Sequence, residues 1–197
     1  MKKLIINASP RIDGRSAQLT TFLLASFAEE NPAFGLVLFE LAEHYLDGCI
    51  ACDECKDDYE CIIDDDMQVL YPLLDEADEL VVVSPVFFAG PPSQLKALLD
   101  RLQPYYWKRM RESSQAKRPA RLFVLGEGGD PHGFAPLVIS ARSALAVAGF
   151  SLDEVYDGRR LQGEELDNLA RFPELYRVER ADFDKPIPPG FQGEADV

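Results

Sequence analysis

Leu80-Val81-Val82-Val83-Ser84-Pro85-Val86-Phe87-Phe88-Ala89-Gly90 carries the clearest strand signal in the chain, followed at once by a loop. A leucine and three β-branched residues in succession leave no polar face. Such a strand is covered on both sides, as in a parallel sheet. Upstream, Leu4-Ile5-Ile6 is a similar run ending at Asn7-Ala8-Ser9-Pro10, and Leu36 to Leu41 reads as a second strand. Downstream, Leu122 to Leu125 and Leu152 to Tyr156 read as the fourth and fifth. Between the strands, apolar residues recur at helical intervals: Leu19, Phe22, Leu23 and Phe27; Met67, Leu70, Tyr71 and Leu74; Leu95, Leu98, Leu99 and Leu102. A further helix runs from about Phe134 to Ala148 and is closed by Gly149. Asn31-Pro32 ends the first helix, and Pro72 is expected to kink or split the second. This alternation predicts an α/β domain built on an open parallel sheet with helices on both faces. Ligands in such sheets bind at the carboxyl ends of the strands. The loops to inspect are therefore 8–16, 84–92 and 126–133.

The chain has 197 residues, enough for one such domain with long loops. Residues 1–184 read as a single domain and 185–197 as a Pro-rich C-terminal tail. Asp and Glu number 34 against 20 Lys and Arg, so the surface repels a nucleic-acid backbone and suits solubility or a basic partner. No stretch approaches the roughly 18 apolar residues of a membrane helix. The basic tip and very short apolar run at Met1–Asn7 fall short of a signal peptide, whose core needs about 7 apolar residues. A cytoplasmic location is expected, and there thiols stay reduced.

The loop after the first strand reads Asn7-Ala8-Ser9-Pro10-Arg11-Ile12-Asp13-Gly14-Arg15-Ser16-Ala17-Gln18. It leads into a helix start, where free amides and the helix dipole favour an anion. Ser9 and Ser16 offer hydroxyls, Arg11 and Arg15 can pair with phosphate, and Gly14 eases the bend. Alone, the loop is equally readable as a helix capped by Ser16 with solvated arginines.

Four cysteines stand at Cys49-x2-Cys52-x2-Cys55-x5-Cys61. The compact run resembles ferredoxin spacing, and all four ligands of a [4Fe–4S] cluster could come from this one loop. Zinc is the second reading and a disulfide or unligated thiols the third. Asp47, Asp53, Glu54, Asp57, Asp58, Glu60, Asp64, Asp65 and Asp66 crowd the loop and oppose an anionic cluster, subject to screening. Asp64 to Asp66 also suit the start of a helix.

Ser84-Pro85-Val86-Phe87-Phe88-Ala89-Gly90 with Ser93-Gln94-Leu95-Lys96-Ala97-Leu98-Leu99-Asp100-Arg101 resembles the NAD(P)H-dependent FMN reductase family. Ser9-Pro10-Arg11 with Gly14 and Ser16 is similar to that family's first loop. The cysteine segment followed by Ile62-Ile63-Asp64-Asp65-Asp66-Met67 looks like its iron–sulfur flavoprotein branch. The resemblance covers roughly residues 1–150. It implies a three-layer flavodoxin-like fold, with a five-stranded parallel sheet in the order 2-1-3-4-5 and helices on both faces. It also implies bound FMN. Ser9, Arg11, Arg15, Ser16 and Ala17 would hold the phosphate. Pro85, Val86, Phe87 and Phe88 would border the flavin ring, with Gly128, Gly129 and Asp130 on its other side. Cys49, Cys52, Cys55 and Cys61 would be the metal ligands. Three departures stand out: Arg15-Ser16 in place of Asn-Thr, Phe87 in place of Tyr, and Ala89 in place of a common Gly.

The implied activity is transfer of electrons from NADH or NADPH through flavin to an acceptor: a quinone, a free flavin, a protein or a cysteine-bound cluster. No protein side chain need act as catalytic acid or base, because the flavin is the redox group. A homodimer and a redox protein partner are expected. The alternatives are a non-enzymatic flavodoxin-like carrier and a zinc-stabilised binding module without flavin. His132 lies in the fourth-strand loop and could approach the flavin, whereas His44 reads as structural. Tyr105, Tyr106 and Trp107 end a helix and read as core packing, with a dimer contact as the alternative.

Overall fold

A computed structural model describes residues 1–111, 116–159 and 177–178. The strands are β1 (Lys2–Asn7), β2 (Gly35–Glu40), β3 (Glu79–Pro85), β4 (Arg118–Gly126), β5 (Phe150–Arg159) and β6 (Arg177–Val178). The helices are α1 (Arg15–Glu30), α2 (Cys55–Asp58), α3 (Met67–Glu76), α4 (Ser93–Asp100), α5 (Gln103–Arg111) and α6 (Ala135–Val147). The sheet order is β2-β1-β3-β4-β5-β6. The first five strands pair in parallel, in the flavodoxin-like order expected. The expected count of five is corrected by β6, which pairs antiparallel with β5 through Val155 and Tyr156. The Pro-rich tail, and the domain end placed at residue 184, lie outside the described residues.

The sheet is buried on both faces because its central strands carry continuous apolar runs, Leu4–Ile6, Leu80–Val83 and Leu122–Leu125. Leu80 and Val82 of β3 enter one core with Leu4, Ile6, Leu95 and Leu98; Val81 and Val83 enter the other with Ile5, Leu19, Leu23 and Phe27. That is the period-two alternation of a strand covered on both sides. Helix α1 ends at Asn31, whose extended backbone donates its N–H to the Phe27 carbonyl at 3.1 Å. Of the two effects expected of Pro72, a split does not occur, since α3 runs through it from Met67 to Glu76. The proline sits four residues after exposed Gln68, so the carbonyl it leaves unbonded can be hydrated. Tyr105, Tyr106 and Trp107 do not end the preceding helix but lie inside a separate one, α5, with Tyr105 and Trp107 half-buried and Tyr106 39 % exposed.

A row of charges crosses the α1 face of the sheet. Lys3 is buried, with Nζ 2.6 Å from Glu79 and over the rings of Phe27 and Phe34. The row continues through Arg121 to Glu154, then to Arg177. Thus β1, β3, β4, β5 and β6 each contribute one member.

Candidate functional site

Two cavities carry the residues singled out by the sequence. The first, of about 420 Å³, opens at the carboxyl ends of β1, β3, β4 and β5. Its floor follows from strand register. The Ala8 amide donates to Val83 O at 2.8 Å, and the Val86 amide to Leu125 O at 2.8 Å, so two loops are held at the strand ends.

One wall is the loop Ser9–Ser16. Ser9 Oγ accepts the Arg11 amide at 3.1 Å, which folds the loop back on itself. Gly14 stands before α1 with φ 109°, a conformation that favours glycine. No side chain caps α1, and Ser16 lies inside it, so the capping reading of Ser16 does not hold. The first bond of the helix runs from Gln18 N to Gly14 O, at 3.0 Å. The amides of Ser16 and Ala17 precede it, as the opening amides of a helix do. Arg15 is ion-paired with Glu127 across the cavity mouth.

The opposite wall is a tight turn. Phe87 and Gly90 exchange two backbone hydrogen bonds, of 3.0 and 2.9 Å, around Phe88 at φ 50° and Ala89 at φ 61°. Positive φ at both central positions is the type I′ pattern, usually met by Asn and Gly. Phe88 is fully exposed, at 100 %, on the rim. The Ala89 carbonyl accepts the Leu137 amide of α6 at 3.1 Å, which ties the turn to the next helix.

Of the phosphate residues expected, Ser9, Arg11, Arg15 and Ser16 border this cavity, and so do Pro85, Val86, Phe87, Phe88, Gly128 and Asp130. Ala17 and Gly129 do not border it. Ala17 is the third residue of α1, and Gly129 turns with φ 92° into open space. The sequence reading missed Gly126, Glu127 and Arg159, which also border the cavity. Gly126 leaves no room for a side chain, since a Cβ there would stand 2.8 Å from Val86 Cγ1. Arg159 holds Asp157 in a two-pronged ion pair and covers the Phe134 ring at 4.5 Å. His132 is exposed and does not border the cavity. His44 stacks on Phe39 at 4.0 Å.

The second cavity, of about 190 Å³, is bordered by Cys49, Cys52, Cys55 and Cys61 together with Arg101 and Trp107. Cys55 opens α2 and is buried, Cys61 is half-buried, and Cys49 and Cys52 are exposed. Burial first, then the neighbouring thiols, push the Cys55 thiol up. Among the described residues, no three of His, Cys, Asp and Glu are gathered as a single-ion site.

The base of this loop is clasped. The Tyr45 amide donates to Asp66 at 2.7 Å and the Asp47 amide to Asp65 at 2.8 Å. Gln68 Nε2 donates to the carbonyls of Cys61 and Ile63, each at 2.8 Å. Arg101 binds Asp65 through both terminal nitrogens, at 2.7 and 3.1 Å, and also reaches the Asp47 and Ile63 carbonyls. Burial pushes the Asp65 carboxyl up, but hydrogen bonds from Arg101 and from the Asp47 and Met67 amides outweigh it and hold the group below the usual range. On the outer side, Lys56 lies over the Trp107 ring at 4.9 Å, fixing α2 to α5.

The sequence matches the NADPH-dependent FMN reductase family over residues 1–153. It is similar to an iron-sulfur flavoprotein of Methanocaldococcus jannaschii, 38% identical over 104 residues, which are 53% of each chain. The chain therefore matches about half the length of that relative. An iron-sulfur flavoprotein of Archaeoglobus fulgidus is 27% identical over 194 residues, covering 93% of this chain and 86% of the relative. Among solved structures, RosB with a bound 8-demethyl-8-formylriboflavin-5'-phosphate intermediate has a TM-score of 0.64 at 18% identity, over 89% of this chain and 74% of that one. That last likeness is one of fold.

Proposed function

This chain belongs to the NADPH-dependent FMN reductase family, and we propose that it is an FMN-dependent oxidoreductase drawing electrons from a nicotinamide. The observation that carries the reading is the 420 Å³ cavity, whose walls are an anion-binding helix start and an aromatic turn. Its size and its mixture of apolar walls and a few charged groups suit a flavin mononucleotide. When bound, FMN supplies the electron transfer chemistry.

The protein's own part is binding and orientation. Ser9, Arg11, Arg15 and Ser16, with the opening amides of α1, receive the phosphate. Arg15 exchanges Glu127 for phosphate, so Glu127 competes with the ligand. Pro85, Val86, Phe87 and Phe88 bracket one side of the ring, and Gly128 and Asp130 bracket the other. Gly126 lets Val86 close against β4, so the wall that would border the ring keeps its place. Arg159 adds a cation at the far wall, where an anionic part of an incoming molecule is favoured.

Cys49, Cys52, Cys55 and Cys61 hold a [4Fe–4S] cluster in this reading. A cubane sets its four thiolates around a volume rather than around one ion, and the shared cavity supplies that volume. The cluster would serve as an electron acceptor within the chain. The acid excess suits a basic redox protein, and the exposed Phe87 and Phe88 at the rim offer apolar contact to a second subunit.

The test is the visible spectrum of anaerobically purified protein, with iron and acid-labile sulfide counted on the same sample and NADPH oxidation followed. Flavin bands with about four irons per chain support the whole reading. Flavin without iron leaves an FMN reductase with empty cysteines. Protein that carries no flavin and takes up none on adding FMN overturns the proposal.

A further inference from the structure

The cysteine cavity has one buried charged wall. The Arg101 side chain is 0 % exposed and borders the cavity. Its terminal nitrogens are occupied by Asp65 and by the carbonyls of Asp47 and Ile63. Among the described residues its Nε–H has no partner. A buried N–H without an acceptor is costly, so keeping one beside a ligand cavity points to an acceptor in that cavity.

The counter-charge stands elsewhere. Asp65 is 1 % exposed and does not border the cavity. The ion pair is thus a fixed dipole with its cationic end on the thiol side. Asp53 does border the cavity, but it is largely exposed and paired with Lys56 at 2.6 Å. The other loop acids are screened by solvent, whereas Arg101 is not.

We propose that Arg101 is a positioning residue of the four-cysteine site, whose Nε–H donates to a sulfur of the group held there and whose charge raises that group's reduction potential. The proposal rests on the cluster reading above. A four-thiolate cluster is anionic and becomes more so on gaining an electron. A desolvated cation at contact range therefore favours the reduced form. Arginine suits the role because its two outer arms can be tied to Asp65 while the inner N–H stays in a set place. Lysine could carry the charge but not that geometry.

The experiment is anaerobic reconstitution of the full chain with iron and sulfide, followed by dithionite titration monitored by visible and EPR spectra. Dithionite donates one electron per cluster, and no bond to Arg101 forms or breaks. Wild type, Arg101→Lys, Arg101→Gln and Asp65→Asn are compared. Arg101→Gln is expected to shift the one-electron equilibrium toward the oxidised form by tenfold or more, about 59 mV. Asp65→Asn, which removes the negative end of the dipole, is expected to shift it the other way. Arg101→Lys should fall between wild type and Arg101→Gln. Should Arg101→Gln not fold, Asp65→Asn and Arg101→Lys carry the same test. A merely structural role predicts shifts of one sign, because any loosening of the loop admits water. Loaded variants with the wild-type potential, or shifts all of one sign, overturn the inference and leave the cluster reading standing. A wild-type chain that takes up no iron overturns the cluster reading and this inference with it.

Discussion

At the first cavity, the Ser9–Ser16 loop, the Phe87–Gly90 turn and the Gly126–Asp130 loop leave the sheet directly, at the ends of β1, β3 and β4. Their positions follow from strand register. At the second cavity, the cysteine-bearing wall belongs to a long segment between β2 and α3, whose regular element is the short α2, and it faces Arg101 and Trp107. Its position depends on the clasp of Arg101 and Asp65, with Gln68 and Tyr45 in support. A site built on a sheet spreads its dependence over many backbone bonds. A site built on a loop concentrates it in a few side chains, and losing one of them costs more.

That contrast can be broken most easily at Arg101. Replacing one member of a buried ion pair leaves the other uncompensated, so Arg101→Ala should lower unfolding free energy by about 3–5 kcal/mol in urea denaturation. Removing both, as in Arg101→Met with Asp65→Leu, should restore much of it. The pair also sets an acid limit. The folded-state pKa of Asp65 lies below its unfolded value, so its contribution is present above that unfolded value and lost as pH falls through the folded one. Asp65→Asn should flatten the stability profile below about pH 4, as thermal melts across pH would register.

At the first cavity the losses should appear in binding rather than folding. Arg11→Ala or Arg15→Ala removes a charged hydrogen bond of about 1.5–3 kcal/mol. FMN should bind about tenfold or more weakly by fluorescence titration, while riboflavin, without the phosphate, binds as before. Equal losses for both ligands would mean that these arginines do not hold phosphate. Gly126→Ala crowds the stiff Val86 side chain and should cost about 1–3 kcal/mol of stability, together with weaker FMN binding. The smallest effect is expected at Ala89→Gly. The left-handed backbone there is strained by about 1 kcal/mol for a residue with a Cβ, and a raised melting temperature would register its relief.

The parallel sheet was legible because its central strands are continuous apolar runs. β5 was read too short for the opposite reason. Asp153, Glu154 and Asp157 interrupt its pattern, yet Glu154 pairs with Arg121 and Asp157 with Arg159. Reading the strand as ending at Tyr156 hid Arg159, which reaches the cavity only because β5 continues. The three cavity loops were found from the rule that ligands sit at strand ends. Gly126 and Glu127 fell inside the loop 126–133 marked for inspection, but nothing in their residue types set them apart as cavity residues. The cysteines were visible by spacing alone. Arg101 was visible only as the end of a family motif, and Asp65 could not be told from the acids beside it. Partnership across 36 residues leaves no local trace in sequence.

The row of charges from Lys3 through Glu79, Arg121 and Glu154 to Arg177 joins five strands drawn from distant parts of the chain. A slip of one residue in β1 or β3 would turn its charged side chain to the opposite face. A slip of β3 would leave Lys3 buried and uncompensated, at a cost of about 3–5 kcal/mol, and a slip of β1 would leave Glu79 with Arg121 alone. Mispaired sheets are thereby disfavoured during folding, while the row adds little to the finished structure. These residues act as a proofreading device for strand alignment.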